Sequence, residues 1–565
     1  MEIIKKKKRN DSHPYIPELE ELYRGGRITR REFLRNATIL GMSLVSASSF
    51  LAACAREEAT TAPPTEAPTA APEPTAPAPA GPKRGGELVY HHQVQDLTDP
   101  HACQWIQFDI IMNVAEYLID SNQDGALVPT LCEKWEPSDD VKTWTFHIRK
   151  GVKFNHGPEL TADDVVWNFK RWLDPDVGCP LTATLTNYMT ENDIEKVDDY
   201  TVKLHLNQPY AGLIAQISGG SFAAHILPRD WEGDWIKQPY GTGPFTLEEF
   251  ALDERAVVKR REGYWANGAD GKPLPYLDSI RYVYIGEDMA PLIAALQTGD
   301  LDMVMINAQS VELVEGTEIV VDTHESAFAY VYKMRSDEKG AFNDVRLRQA
   351  VKVCQDREQI QENVWKGFGV VAQDHHVAPV HSVYCPVETP KRDIEKAKAL
   401  LAEAGHPDGW TIPLSAPDSP IYKDYAQMLK DQAAPAGLNI ELDVMPASLY
   451  WEQWTEQDFG VVPWAHRPSA EMILETMYRC GAAWNDSHWC DEEFDELLAE
   501  AGRTVEVEKR REIMCKIEKI QQERGPSGIP VFADQLRAHR PRVKNFRTSA
   551  ATHTFLKEVW LDEEA

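Results

Sequence analysis

The sequence predicts a mixed α/β protein. Segments of strictly alternating hydrophobicity recur along the chain, and between them lie stretches with helical spacing and cap residues. The body from about Gly85 to Ala565 is also too long for one simple core, so two or three domains are expected. Thr143 to Arg149 puts Trp144, Phe146 and Ile148 on one face, the pattern of a half-buried strand. Thr161 followed by Asp164 forms a capping box for a helix whose stripe is Val165, Val166 and Phe169. Asp288 and Pro291 open a second helix, Gly299 closes it, and strand Leu301 to Met305 follows. Ile394, Ala397, Leu400, Leu401 and Ala404 give a third stripe, stopped by Gly405. A helix around Tyr425 to Lys430 leads through Gly437 to a strand over Asn439 to Val444.

Ahead of the body, Thr29-Arg30-Arg31-Glu32-Phe33-Leu34-Arg35 resembles a twin-arginine export signal, and Leu51-Ala52-Ala53-Cys54 resembles a lipoprotein processing site. The uncharged run between them, Ile39 to Ala53, is about 15 residues where a spanning helix needs roughly 20, which favours a cleaved signal over an anchor. Residues 1–53 are thus expected to be the signal, with Arg30 and Arg31 read by the exporter and Cys54 lipidated. Residues 54–84, dominated by Ala, Pro, Thr and Glu, hold nothing that builds a core and read as an extended tether. The expected location is the outer face of the cytoplasmic membrane or the periplasm.

Residues 1–53 carry 10 of the 59 basic and 6 of the 89 acidic residues, leaving 49 against 83 afterwards, a net of −34. Such a surface repels nucleic acid, and no basic patch interleaved with aromatics occurs, so no nucleic-acid partner is expected. Beyond Cys54 stand Cys103, Cys132, Cys179, Cys354, Cys385, Cys480, Cys490 and Cys515. Folding before export in a reducing compartment argues against obligatory bridges, yet Cys480 and Cys490 flank a short Trp-rich loop and are the best-placed pair. The chain lacks the phosphate-loop, dinucleotide, nucleophile-elbow and zinc-protease motifs, and no cofactor is called for.

Several motifs then occur in order. They are Trp135-Glu136-Pro137-Ser138-Asp139, Thr143 to Phe154, Leu160 to Val165, Gly241-Thr242-Gly243-Pro244-Phe245, Thr298 to Asp302, Phe342 to Ala350, and Trp484-Asn485 with Glu493-Phe494-Asp495. This series resembles the extracellular solute-binding proteins of oligopeptide, dipeptide, nickel and opine ABC importers. The resemblance implies a two-lobed periplasmic-binding-protein-like fold with an extra domain. Domain I would take residues 85–125, 240–328 and 531–565, domain II 126–239, and domain III 329–530. It also implies a receptor, not an enzyme, that captures a peptide-like or other small organic solute between closing lobes and passes it to membrane permease subunits, acting as a monomer. A secreted hydrolase or a sensor for signalling are the competing readings.

In peptide-binding relatives a Trp-x-x-Asp near the cleft anchors the ligand ammonium. Here the stretch is Pro463-Trp464-Ala465-His466-Arg467-Pro468-Ser469-Ala470-Glu471, so Arg467 stands where the Asp would be. Arg467 either holds a ligand carboxylate or phosphate through its planar fork, or pairs with Glu471 or Glu475 one and two helical turns on. Glu471 is the alternative anchor for an amine. Trp464 and His466 complete the candidate site, and the resemblance adds Gln104 and Trp105 after Asp99-Pro100-His101. His466 with His375, His376 and His381 raises a nickel-chelate cargo, but without ligand spacing no resident metal is expected. Trp451, Trp454 and Trp484 are further stacking candidates.

Overall fold

The structure is a computed structural model that describes residues 81–102, 107–122, 125–482, 484–551 and 553–563. The signal, most of the tether with Cys54, and the candidates Gln104 and Trp105 lie outside the described residues. No described helix is long and apolar enough to cross a membrane.

One large sheet runs through the body. From one edge its strands are Leu438–Met445, Trp410–Pro417, Phe459–Trp464, Val320–Met334, Val531–His539, Met303–Met305, Glu87–His91, Ser279–Val283, Arg255–Arg260 and Phe245–Ala251. At its middle, Val320–Met334 is antiparallel to two different neighbours. Val320 to His324 pair with Gln535 to His539, whereas Ala329 to Met334 pair with Phe459 to Trp464. The register shifts between His324 and Phe328, beyond which Phe328 faces Ala533 of the same neighbour. Beyond the break nearly every residue is buried, as both sheet faces are covered there.

A separate four-stranded sheet, in the order Cys132–Pro137, Thr143–Ile148, Thr201–His205 and Ile194–Asp198, has its own core. Trp144, Phe146 and Ile148 face that core as their alternation predicts. Helix Ala162–Leu173 packs on them through Val165, Phe169 and Trp172, while Val166 is only half-buried. Its capping box forms: the Thr161 N–H donates to Asp164 Oδ2 at 2.9 Å.

Helix Met289–Thr298 ends at Gly299 in the left-handed region, φ 91°. Asp288 occupies its cap position, but its carboxylate accepts no helix amide. The next strand is shorter than expected, Met303–Met305, because Asp302 is taken by tertiary contacts. Its oxygens accept from Arg542 Nε at 2.7 Å, Arg542 Nη2 at 2.9 Å and the Val89 N–H at 2.9 Å, joining the first strand to the C-terminal segment. Helix Ile394–Glu403 is capped by Asp393, which accepts the Lys396 N–H at 2.9 Å. Strands Trp410–Pro417 and Leu438–Met445 are parallel, with helix Pro420–Ala433 between them in sequence.

The Cys480–Cys490 bridge is present. A second bridge, Cys385–Cys515, joins residues 130 apart and carried no local signal. Cys132, Cys179 and Cys354 are buried free thiols.

Arg357 and Asp374 form an ion pair almost wholly out of water. Arg357 Nη1 also donates to Pro390 O at 2.8 Å, and Asp374 Oδ1 accepts the Ile529 N–H at 2.8 Å. Three segments are thereby tied at one buried point. Arg357→Met leaves the Asp374 carboxylate buried and unpaired, so the expected loss is about 3–5 kcal/mol in a denaturant titration. Adding Asp374→Leu should recover most of it; a loss under about 1 kcal/mol in the single variant would contradict this account.

Candidate ligand-binding cleft

Strand Phe459–Trp464 leaves the large sheet after Trp464, which pairs with Ala329 just past the break in the central strand. Residues 465–469 are irregular, and helix Ala470–Met477 follows. Trp464, His466 and Arg467 are therefore delivered to one turn by the strand, and each meets different surroundings.

Trp464 is buried within a row of indoles. Its ring centre lies 6.1 Å from Trp454 and 6.3 Å from Trp484, and Trp454 lies 6.1 Å from Trp451. The ends of the row stay in water, with Trp484 53% and Trp451 40% exposed.

His466 is buried, and its Nδ1 accepts the Ala327 N–H at 3.2 Å. Ala327 lies inside the register break, where the ladder leaves that amide without a strand partner. Burial holds the His466 ring neutral, well below its usual pKa, and nearby His381, His553, Arg467 and His324 push the same way.

The Arg467 guanidinium lies over the Phe222 ring, 5.5 Å from its centre. Phe222 stacks on Phe108 at 6.0 Å, and Phe108 meets His553 at 4.5 Å. Among the described residues the guanidinium of Arg467 makes one hydrogen bond, a long one, from Nη1 to the His466 carbonyl at 3.5 Å. The Arg467 carbonyl accepts His381 Nε2–H at 2.9 Å. Arg467 is half-buried, and this desolvation alone lowers the guanidinium to about 10, with no carboxylate acting on it. Both acids offered as partners by the sequence are engaged elsewhere. Glu471 pairs with Arg510 at 3.1 Å, and Glu475 pairs with Arg479. Among the described residues Arg467 has no acidic partner, and the paired Glu471 has no free charge for a ligand amine.

Phe222, Phe108 and His553 were not singled out from sequence, because they are brought to Arg467 from distant segments. The run Ser218-Gly219-Gly220-Ser221 did carry a signal, small residues where backbones come close. A Cβ on Gly220 would fall 2.2 Å from Pro468 Cγ, and one on Gly219 2.1 Å from Asp120 Oδ1. His375, His376 and His381 are buried, and no group of three metal-ligating side chains forms among the described residues.

Residues 126–485, more than half of the sequence, match the model of the bacterial extracellular solute-binding proteins, family 5. The chain belongs to that family. Family 5 members are transport receptors, and this one is the solute-binding component of an ABC importer. It is 28% identical over 457 residues to di/tripeptide-binding protein 1 of Pseudomonas aeruginosa, covering 75% of this chain and 84% of that protein. It is 28% identical over 455 residues to heme-binding protein A of Haemophilus influenzae, covering 74% and 81%. The solved periplasmic binding protein DppA of Helicobacter pylori in complex with the peptide STSA shares the fold, with a TM-score of 0.72 at 24% identity. The match covers 85% of this chain and 99% of that one.

The family 5 turn gives a pH test. Because the folded pKa of His466 lies below 6.5, the unfolded chain takes up a proton that the folded receptor refuses as pH falls through that value. Stability is lost on the acid side, by up to about 1.4 kcal/mol per pH unit from this ring. His466→Phe orphans the Ala327 N–H and should cost about 1–3 kcal/mol at pH 7. The gap between the two proteins should narrow at pH 5 in denaturant titrations, and a gap that is constant with pH contradicts the assignment.

Proposed function

We propose that this receptor captures a solute bearing a carboxylate or another compact anion, anchored by Arg467 in the cleft between its lobes. The observation that carries the reading is the Arg467 guanidinium itself, half-buried, packed on Phe222 and without an acidic partner among the described residues. A cation drawn partly out of water gains when an anion meets it, and the planar fork suits a two-oxygen group. Trp464 walls the site, and His466 fixes the turn that carries Arg467. A short peptide supplies such an anion through its C-terminal carboxylate, and the di/tripeptide- and dipeptide-binding relatives support cargo of that kind. Gln104 and Trp105 complete the site in this reading.

One lobe comprises residues 85–125, 240–328 and 531–565 with the insert 126–239, and the other residues 329–530. The receptor works as a monomer and delivers its cargo to permease subunits. Arg30 and Arg31 direct export, and lipid on Cys54 with the 54–84 tether holds the receptor at a membrane surface. The motifs and their order support this part.

A thermal-shift screen tests the cargo, setting short peptides and free carboxylates against neutral sugars and amines. A true ligand at about a hundred times its dissociation constant adds roughly 2.7 kcal/mol. Arg467→Ala should weaken the hit by about tenfold or more, the scale of a hydrogen bond to a charged group, and Arg467→Lys should fall between. Undiminished affinity in Arg467→Ala would remove the anchor.

A further inference from the structure

A second set of contacts joins the same two parts of the chain. Tyr188 and Tyr210, both buried, stack face to face with ring centres 4.0 Å apart and planes 7° from parallel. The facing surface comes from helix Ala470–Met477 and the residues after it. Arg479 is ion-paired with Glu475, and its charge acts on the Tyr188 side chain. Glu471 and Glu475, one turn apart, both act on the Tyr210 ring, whose own hydroxyl is held protonated by burial first. Beside the tyrosines, the Ala211 N–H donates to the Gly502 carbonyl at 2.6 Å. Gly502 lies in the last turn of helix Glu492–Arg503, where carbonyls have no intrahelical donor. Gly220 stands against Pro468 with no room for a side chain.

We propose that Tyr188, Arg479 and the Ala211–Gly502 hydrogen bond are a latch that holds the lobes shut without help from the solute, and that Gly220 against Pro468 sets how far they close. The inference rests on the two-lobed assignment above, since residues 126–239 and 329–530 must lie on opposite lobes. None of these side chains is among the candidate ligand contacts. They position the lobes, and the latch raises the fraction of receptor already closed. Apparent affinity scales with that binding-competent fraction, so the latch tightens binding of any cargo.

The test follows the purified full chain with no solute present. Fluorophores are placed on Val197→Cys and Val505→Cys, two positions 45% exposed on either side of the latch, and closure is read by single-molecule energy transfer. The ligand-free receptor is expected to show open and closed populations. Tyr188→Phe keeps the ring stack but loses the polar group that Arg479 acts on, and should lower the closed-to-open ratio by about threefold or more. Arg479→Ala should lower it further, Arg479→Lys should restore part of it, and Gly220→Val should abolish the closed population. Thermal melts of each variant report its folding separately. Two populations with an unchanged ratio in folded Tyr188→Phe and Arg479→Ala overturn the latch and leave the two-lobed reading standing. A wild-type receptor wholly open without solute also overturns it. A single unchanging state in every variant, Gly220→Val included, overturns the two-lobed reading with it.

Discussion

The structure depends on one strand having to serve two sets of neighbours. Val320–Met334 completes one half of the large sheet with its first residues and the other half with its last. The ladder to Val531–His539 shifts register between the two stretches, and a break buried at the centre of a protein strands backbone amides. The Ala327 amide is rescued by a side chain, His466, from the strand that pairs with the second half. The residue after that histidine is Arg467. The turn facing the other part of the chain is thus fixed to the point where the ladder shifts register, and a shift at either end is felt at the other.

Charge is handled differently around this turn from elsewhere in the body. Arg357 has Asp374, Arg542 has Asp302, and Arg348 spends its donors on the carbonyls of Phe342, Asn343 and Arg524. In each case a guanidinium wholly or largely out of water is matched by fixed acceptors, as burial requires. Arg467 departs from the pattern. Among the described residues it has an aromatic face and one long hydrogen bond, and the nearby helix keeps its acids for Arg510 and Arg479. A site that withholds acceptors from its own cation leaves that role to whatever binds.

Much of this architecture was legible in local sequence. The capping box at Thr161, the left-handed Gly299 and the alternation from Thr143 to Ile148 are short-range statements, and each depends on residues within a few positions. Arg467 itself was legible as a departure from a motif. Its surroundings were not, because Phe108, Phe222 and His553 approach from three separate segments and nothing in their own neighbourhoods predicts the meeting. Helical spacing offered Glu471 and Glu475 as partners for Arg467, and tertiary packing supplied nearer cations to both. The Cys385–Cys515 bridge escaped for the same reason. It forms where helix Val507–Arg524 lies against a loop far earlier in the chain, an approach also marked by the Cys385 N–H donating to Glu518 at 3.0 Å.

Both disulfides fall between residues 385 and 515, while the strands and helices up to residue 283 carry buried thiols and no bridge among the described residues. A cross-link removes freedom chiefly from the unfolded chain, more for a long loop than for a short one. The covalent insurance is therefore one-sided. Under heat or denaturant in an oxidising medium, the cross-linked segment unravels into a tied loop that regains its shape readily, whereas the four-stranded sheet and its helix have only packing to bring them back. A reducing wash evens the two sides, so the order in which the parts melt reports the oxidation state of the protein.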